Sequence, residues 1–152
     1  LGDVYKRQNV YMAESDIEIN MGDGIKVNGR IDLVQRISDE KGEHITIIDF
    51  KSANKKVIES INNEQLKIYA LGYQELTGTT ADYMEVYQLD SEHKAIKAIT
   101  KDVIEEVKKD IKDAATNIRA NNLPRKCNKE NCSKCHLNYL CLGKQEKKQL
   151  LV

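Results

Sequence analysis

Two runs of alternating side chains limit what this chain can become. In IKVNGRIDLV, residues 25–34, the positions Ile25, Val27, Ile31 and Leu33 fall on one side and Asn28, Arg30 and Asp32 on the other. In ITIIDFK, residues 45–51, the side shared by Ile45 and Ile47 also carries Asp49 and Lys51. A period of two belongs to a β-strand, where successive side chains point to opposite faces. A carboxylate and an ammonium at i and i+2 therefore project together, about 7 Å apart at their Cα atoms. An antiparallel pairing of the two runs brings Asp32 beside Asp49. Such a trio serves either as a surface salt bridge among ordinary strand residues or as the start of a metal site.

The surrounding pattern supplies the rest of a fold. Ile17 and Ile19 alternate with Asp16 and Glu18 over residues 12–20, and MGDG is a turn signal, so a hairpin into residues 25–35 is expected. SDEKGE marks a second turn before the strand of residues 44–50, completing a three-stranded meander. Ile61, Gln65, Ile68, Tyr69, Gly72 and Leu76 recur at helical spacing, with Gly78 as the stop, which predicts a helix packed on the sheet. Residues 82–89 and 94–99 read as two more strands across DSEH. Thr100 is the expected N-cap of a helix whose stripe is Val103, Ile104, Val107, Ile111, Ala114, Ala115 and Ile118, ended by Asn121, Asn122 and Pro124. Strands flanking helices give an α/β (α+β) class built on a mixed sheet.

At 152 residues the chain suffices for one domain with a true core. Apolar residues make up 40% and charged residues 32%, a composition neither disordered nor membrane-spanning. Lys plus Arg and Asp plus Glu balance at 24 each, which argues against a protein that simply coats nucleic acid. The basic excess is local: Arg125, Lys126, Lys129, Lys134, Lys144, Lys147 and Lys148 stand against Glu130 and Glu146 near the C-terminus.

All four cysteines lie between Cys127 and Cys141, spaced Cys127-x4-Cys132-x2-Cys135-x5-Cys141. With no secretory signal in view, an intracellular metal centre is the stronger reading than a disulfide framework, and the expected location is cytoplasmic. Zinc ribbons generally pair two CxxC knuckles, and only Cys132 and Cys135 make one, so zinc and an iron-sulfur cluster both stay open. His136 reads as an exposed loop residue. Glu14 reads as an accessory acid or a solvated charge.

Gly29 and Asp32, then Asp49 and Lys51, then Gln65 and Tyr69 form, in that order, the pattern GxxD, DxK and QxxxY. The arrangement resembles the RecB-like branch of the PD-(D/E)XK nuclease superfamily, over most of residues 14–141. The resemblance implies a restriction-endonuclease-like core and Mg2+ or Mn2+ held by Asp32 and Asp49. It implies a catalytic Lys51, and Gln65 and Tyr69 supporting DNA or the site. Ser52 matches the Ser or Thr common after the lysine and is a candidate phosphate contact. Cys132, Cys135 and Cys141 are similar to the C-terminal triplet of iron-sulfur nucleases of AddAB-type helicase-nucleases and CRISPR-adaptation exonucleases, which implies a [4Fe-4S] cluster, with Cys127 an extra candidate ligand and zinc the alternative.

The implied partners are DNA and a helicase, either a domain of the same chain or a separate subunit, with no membrane. The implied function is a Mg2+-dependent DNA exonuclease in a helicase-nuclease that processes broken ends. A stand-alone CRISPR-adaptation exonuclease and a non-catalytic DNA-binding module are the competing readings. The expected layout is a nuclease core over 9–122 lacking its first helix, a cysteine-rich segment over 123–143 and a basic tail over 144–152. Residues 1–8, LGDVYKRQ, resemble the translated end of a transposon adapter and are expected to be a sequencing artefact, with the natural chain beginning upstream.

Overall fold

The computed structural model describes residues 9–39, 42–51, 64–90, 93–124, 132–133 and 135–137. Ser52, Cys127 and Cys141 lie outside the described residues, as do Ile61 and the whole basic tail over 144–152. The order of elements is β1 (Val10–Asn20), β2 (Lys26–Asp39), β3 (Gly42–Lys51), α1 (Glu64–Thr77), β4 (Tyr83–Gln88), β5 (Lys94–Ala98) and α2 (Lys101–Arg119). One sheet in the order β1-β2-β3-β4-β5 contains all five strands. β1, β2 and β3 form the expected antiparallel meander, α1 carries the chain over to a parallel β4, and β5 returns antiparallel. This is the mixed sheet with flanking helices that the patterning predicts.

Turn chemistry explains the hairpin tips. Gly22, Asp23 and Gly24 all take positive φ, the left-handed region that Gly and Asp tolerate, and the loop closes through Ile25 N–H to the Gly22 carbonyl at 2.9 Å. SDEKGE is less of a turn than its polarity suggests: the β2–β3 ladder runs on through Ser38↔Glu43 and Asp39↔Gly42. The helix ends follow the sequence. Gly78, at φ 73°, donates to the Gln74 carbonyl at 2.8 Å and ends α1. Thr100 Oγ1 accepts from Val103 N–H at 3.4 Å and caps α2.

The core joins Ile17, Ile19, Ile31, Val34 and Ile47 of the sheet to Leu66, Tyr69, Ala70, Leu71 and Tyr73 of α1 and to Val103, Ile104 and Val107 of α2. Three expectations need correction. β2 was expected to bury Ile31 and Leu33 together, but Val34 is buried and Leu33 only half-buried, so its alternation changes phase. Leu76 is 51% exposed because it lies past the last turn of α1 that meets the sheet. The stripe of α2 is buried only over its first two turns, and Ala114 is exposed.

Contacts divide the chain into two units, residues 1–116 and residues 117–152. In the second, Asn121 takes φ 52° and donates to the Ile118 carbonyl while Asn122 donates to that of Asn117, the paired bonds of a Schellman cap. Cys135 N–H donates to the Cys132 carbonyl at 3.4 Å, and His136 sits exposed in the adjacent turn. No helix among the described residues is long and apolar enough to cross a membrane.

Candidate active site where two strands part

β2 changes partners along its length. Its residues from Lys26 to Gln35 pair with β1, while its pairing with β3 begins only at Leu33↔Ile48. Asp49, Phe50 and Lys51 pair instead with Val86, Tyr87 and Gln88 of β4. Asp32 and Asp49 are thus the next positions in the β2–β3 register, just where the backbone ladder stops. A side chain takes over there: Asp32 Oδ2 accepts the Phe50 N–H at 3.0 Å. The ladder's unmet donor is satisfied, and the Asp32 carboxylate is fixed beside β3.

Asp49 is only 1% exposed. Burial pushes its carboxyl above the usual carboxylate range, the Lys51 ammonium opposes the rise, and the neighbouring charge of Asp32 adds to it. Lys51 Nζ lies 2.7 Å from Asp49 Oδ2, yet that oxygen has no well-angled hydrogen bond and keeps lone-pair capacity open. Ionised Asp49 thus sits at a cost to the fold, as functional carboxylates often do.

Lys51 is held from its other side. It donates to Gln65 Oε1 at 3.0 Å, and Gln65 Nε2 donates to the Tyr69 hydroxyl. Gln65 and Tyr69 meet because residues four apart stack on one helix face. Gly29 lies beside the ring that ends the chain of contacts: a Cβ there would stand 3.4 Å from Ile17 and 3.5 Å from the Tyr69 ring, ordinary van der Waals contact, so β2 passes close under α1 at this point. The structure brings Asp32, Asp49, Lys51, Gln65 and Tyr69 into one connected cluster. Ser52 is not described, and Glu14 turns its carboxylate to Arg30, 3.3 Å away on the surface.

The donor set is two carboxylates, one buried with an open oxygen, and the described residues contain no group of three or more His, Cys, Asp or Glu placed to hold a metal. Hard oxygen donors fit Mg2+ or Mn2+, which commonly take one or two carboxylates and complete their shell with water and phosphate. Cys132 and Cys135 are free thiols on either side of a single turn.

Sequence reasoning missed the Phe50 N–H and Lys67, and named Gly72 only as one position of the α1 stripe. The Phe50 N–H is a backbone donor and leaves no signature in side-chain pattern. Gly72 is buried against Ile17, and an added Cβ would stand 2.2 Å from Ile17 Cδ1; its signal was a glycine inside an apolar helical stripe. Lys67 is 6% exposed and pairs with Glu64 at 3.1 Å and with Glu106 of α2 at 3.3 Å, tying the two helices together. Its signal was a lone cation amid LKIYAL.

Comparison with known proteins bears on the family and the fold. The family model described as the PD-(D/E)XK nuclease superfamily matches residues 3–142. No curated protein matches. Among solved structures, the crystal structure of SSO0001 is similar with a TM-score of 0.51 and 20% identity, over 94% of this chain and 64% of that one. At that identity the likeness speaks for the fold alone, and the chain spans less than two thirds of the length of that relative.

Proposed function

The chain belongs to the PD-(D/E)XK nuclease superfamily, and from that premise we propose that it is a Mg2+- or Mn2+-dependent DNA exonuclease domain, the nuclease part of a RecB-like or AddAB-type helicase-nuclease that processes DNA ends in repair and recombination. The observation that supports the reading is the line of contacts Asp49–Lys51–Gln65–Tyr69, closed by Asp32 where β2 and β3 part.

In this reading Asp32 and Asp49 hold the cation. Bound there, the cation supplies Lewis-acid polarisation of the scissile phosphate and lowers the pKa of the attacking water. Lys51 donates one N–H to Gln65 and lies against Asp49 without a well-angled hydrogen bond, so its ammonium keeps donor capacity for the water or a phosphate oxygen. Gln65, braced by Tyr69, fixes the height of that ammonium. The buried setting of Asp49 keeps its charge unscreened, so an occupied site gains more from it than a solvated pair of carboxylates would. Ser52 contributes a phosphate contact.

Residues 9–122 are the nuclease core in this proposal, and residues 123–143 hold a [4Fe-4S] cluster, or zinc, through Cys127, Cys132, Cys135 and Cys141. Ligation there is folding free energy for a segment whose apolar residues, apart from the four cysteines, are Leu123, Leu137, Tyr139, Leu140 and Leu142. The protein works in the cytoplasm beside a helicase in the same polypeptide or a companion subunit.

The test compares the full chain with its Lys51→Ala variant on end-labelled linear duplex and on closed circular DNA in Mg2+. Linear DNA should be degraded from its ends while circles persist, and Lys51→Ala should be slower by about 10²-fold or more. Equal rates for the two proteins would remove Lys51 from the mechanism, and cut circles would replace the exonuclease with an endonuclease.

A further inference from the structure

Glu14 takes φ 47° in the middle of β1. Among the described residues the other non-glycine positions with positive φ, Asp23 and Asn121, sit in a hairpin tip and a helix cap and are of types that tolerate the left-handed region. Glutamate in a strand interior has neither excuse, and this conformation costs an L-residue free energy that its surroundings must offset.

The register shows what stands opposite. β1 and β2 pair Ala13↔Leu33 and Ser15↔Ile31, so Glu14 faces Asp32. The alternation of both strands changes phase at this level. Ile17, Ile19 and Ile31 lie in the core on one phase, and Gly29 shares theirs, beneath Tyr69 of α1. Beyond Glu14 and Asp32 the core residues are Met12 and Val34, which belong to the other phase. Val34 pairs with Ile47, and Asp32 shares its side with Asp49 and Lys51, the side from which Lys51 reaches Gln65 of α1. With unbroken alternation, a β2 that turned Gly29 toward α1 would turn Asp32 away from it.

Arg30 holds the irregular residue in place. Its Nε donates to the Glu14 carbonyl at 3.2 Å, its guanidinium lies 3.3 Å from the Glu14 carboxylate, and Asp16 flanks it at 3.8 Å.

We infer that Glu14 is a positioning residue whose left-handed backbone, held by Arg30, switches the phase of the β1–β2 pair and so turns Asp32 onto the side of Asp49 and α1. Its carboxylate is directed at Arg30 and takes no part in chemistry. The inference rests on the reading of Asp32 and Asp49 as the cation-binding pair, but the conformational role has its own readout. Phe50 N–H is bonded to Asp32 Oδ2, so its exchange with solvent reports whether Asp32 is correctly turned.

The experiment measures hydrogen exchange of the Phe50 amide, and Mn2+ binding by paramagnetic resonance, in the full chain and in Glu14→Gly, Glu14→Gln, Glu14→Ala and Glu14→Val. Gly reaches positive φ freely, so Glu14→Gly should protect Phe50 as the parent does although it lacks the carboxylate. Glu14→Gln should do the same. Glu14→Ala bears the same left-handed cost as the parent without the side-chain contact to Arg30 that offsets it, so it should exchange Phe50 about tenfold faster, and Glu14→Val, β-branched, faster still, with Mn2+ affinity falling in the same order. Exchange in Glu14→Gly as fast as in Glu14→Val would overturn the inference in favour of the carboxylate, and so would parent-like exchange in all four. If Glu14→Val does not fold, the Gly and Ala pair decides, since they differ only in backbone freedom. A parent protein that cleaves no DNA would defeat the nuclease reading while leaving the ranking of Phe50 exchange to decide the role of Glu14.

Discussion

The two helices differ in a way their sequences invert. α2 carries a clear apolar stripe, yet only Val103, Ile104 and Val107 are buried in it. α1 reads as a less regular mixture, yet seven of its fourteen residues are buried, among them a lysine and a glycine. The helix that carries Gln65 and Tyr69 is therefore gripped from several sides, while the second half of α2 lies open. A stripe states what a helix can bury, and the neighbouring elements decide how much of it they reach.

The contrast breaks most readily at Gly72. Alanine there gains about 1 kcal/mol of helix propensity, but its Cβ runs into Ile17 and should cost about 1–3 kcal/mol in overpacking. Gly72→Ala should therefore lower the denaturant midpoint, and combining it with Ile17→Val, which removes the Cδ1 atom, should recover part of the loss. A stabilised Gly72→Ala would show that α1 is held more loosely than its burial implies.

A smaller effect tests the tie between the helices. Burial pulls the Lys67 pKa down, but the hydrogen bonds and charges of Glu64 and Glu106 outweigh it, and the net shift is upward from 10.5. A raised folded-state pKa means the contribution is complete below the unfolded value and lost as pH rises through the folded one. Lys67→Met should match the parent within about 1 kcal/mol near neutrality, since an apolar side chain of similar volume avoids burying a charge. In unfolding curves recorded above pH 10.5, the parent should lose ground to the variant. A constant difference across that range would mean that Lys67 contributes no charge interaction to the pairing of the helices.

The smallest effect is expected on the open half of α2. Ala114 belongs to the stripe but is exposed, so Ala114→Gln should leave the midpoint within about 0.5 kcal/mol of the parent. A larger loss would restore the stripe's full length to the core.

Strand alternation and helical spacing made every element from β1 to α2 legible, because those periods are imposed by backbone geometry. The spacing of Asp49 to Lys51 and of Gln65 to Tyr69 was likewise readable, since each pair lies within one regular element. What escaped depends on the backbone between elements. The amide of Phe50 bonded to Asp32, and the left-handed turn of the backbone at Glu14, are set by how two strands meet and leave no trace in residue type. The phase change that buries Val34 in place of Leu33 follows from the same cause.

The hairpin tip from Met21 to Ile25 closes on itself, with Gly22 N–H bonded to Asn20 Oδ1 and Met21 N–H to the Ile25 carbonyl, and Asp23 is the exposed non-glycine residue of its left-handed run, the position that already carries a side chain there. Along β2 the tip lies six residues, about 20 Å, from Asp32. It is accordingly the natural place for a fluorophore or a surface tether: a label grafted there would report on the molecule, or immobilise it, without entering the space where a cation and a phosphate would sit.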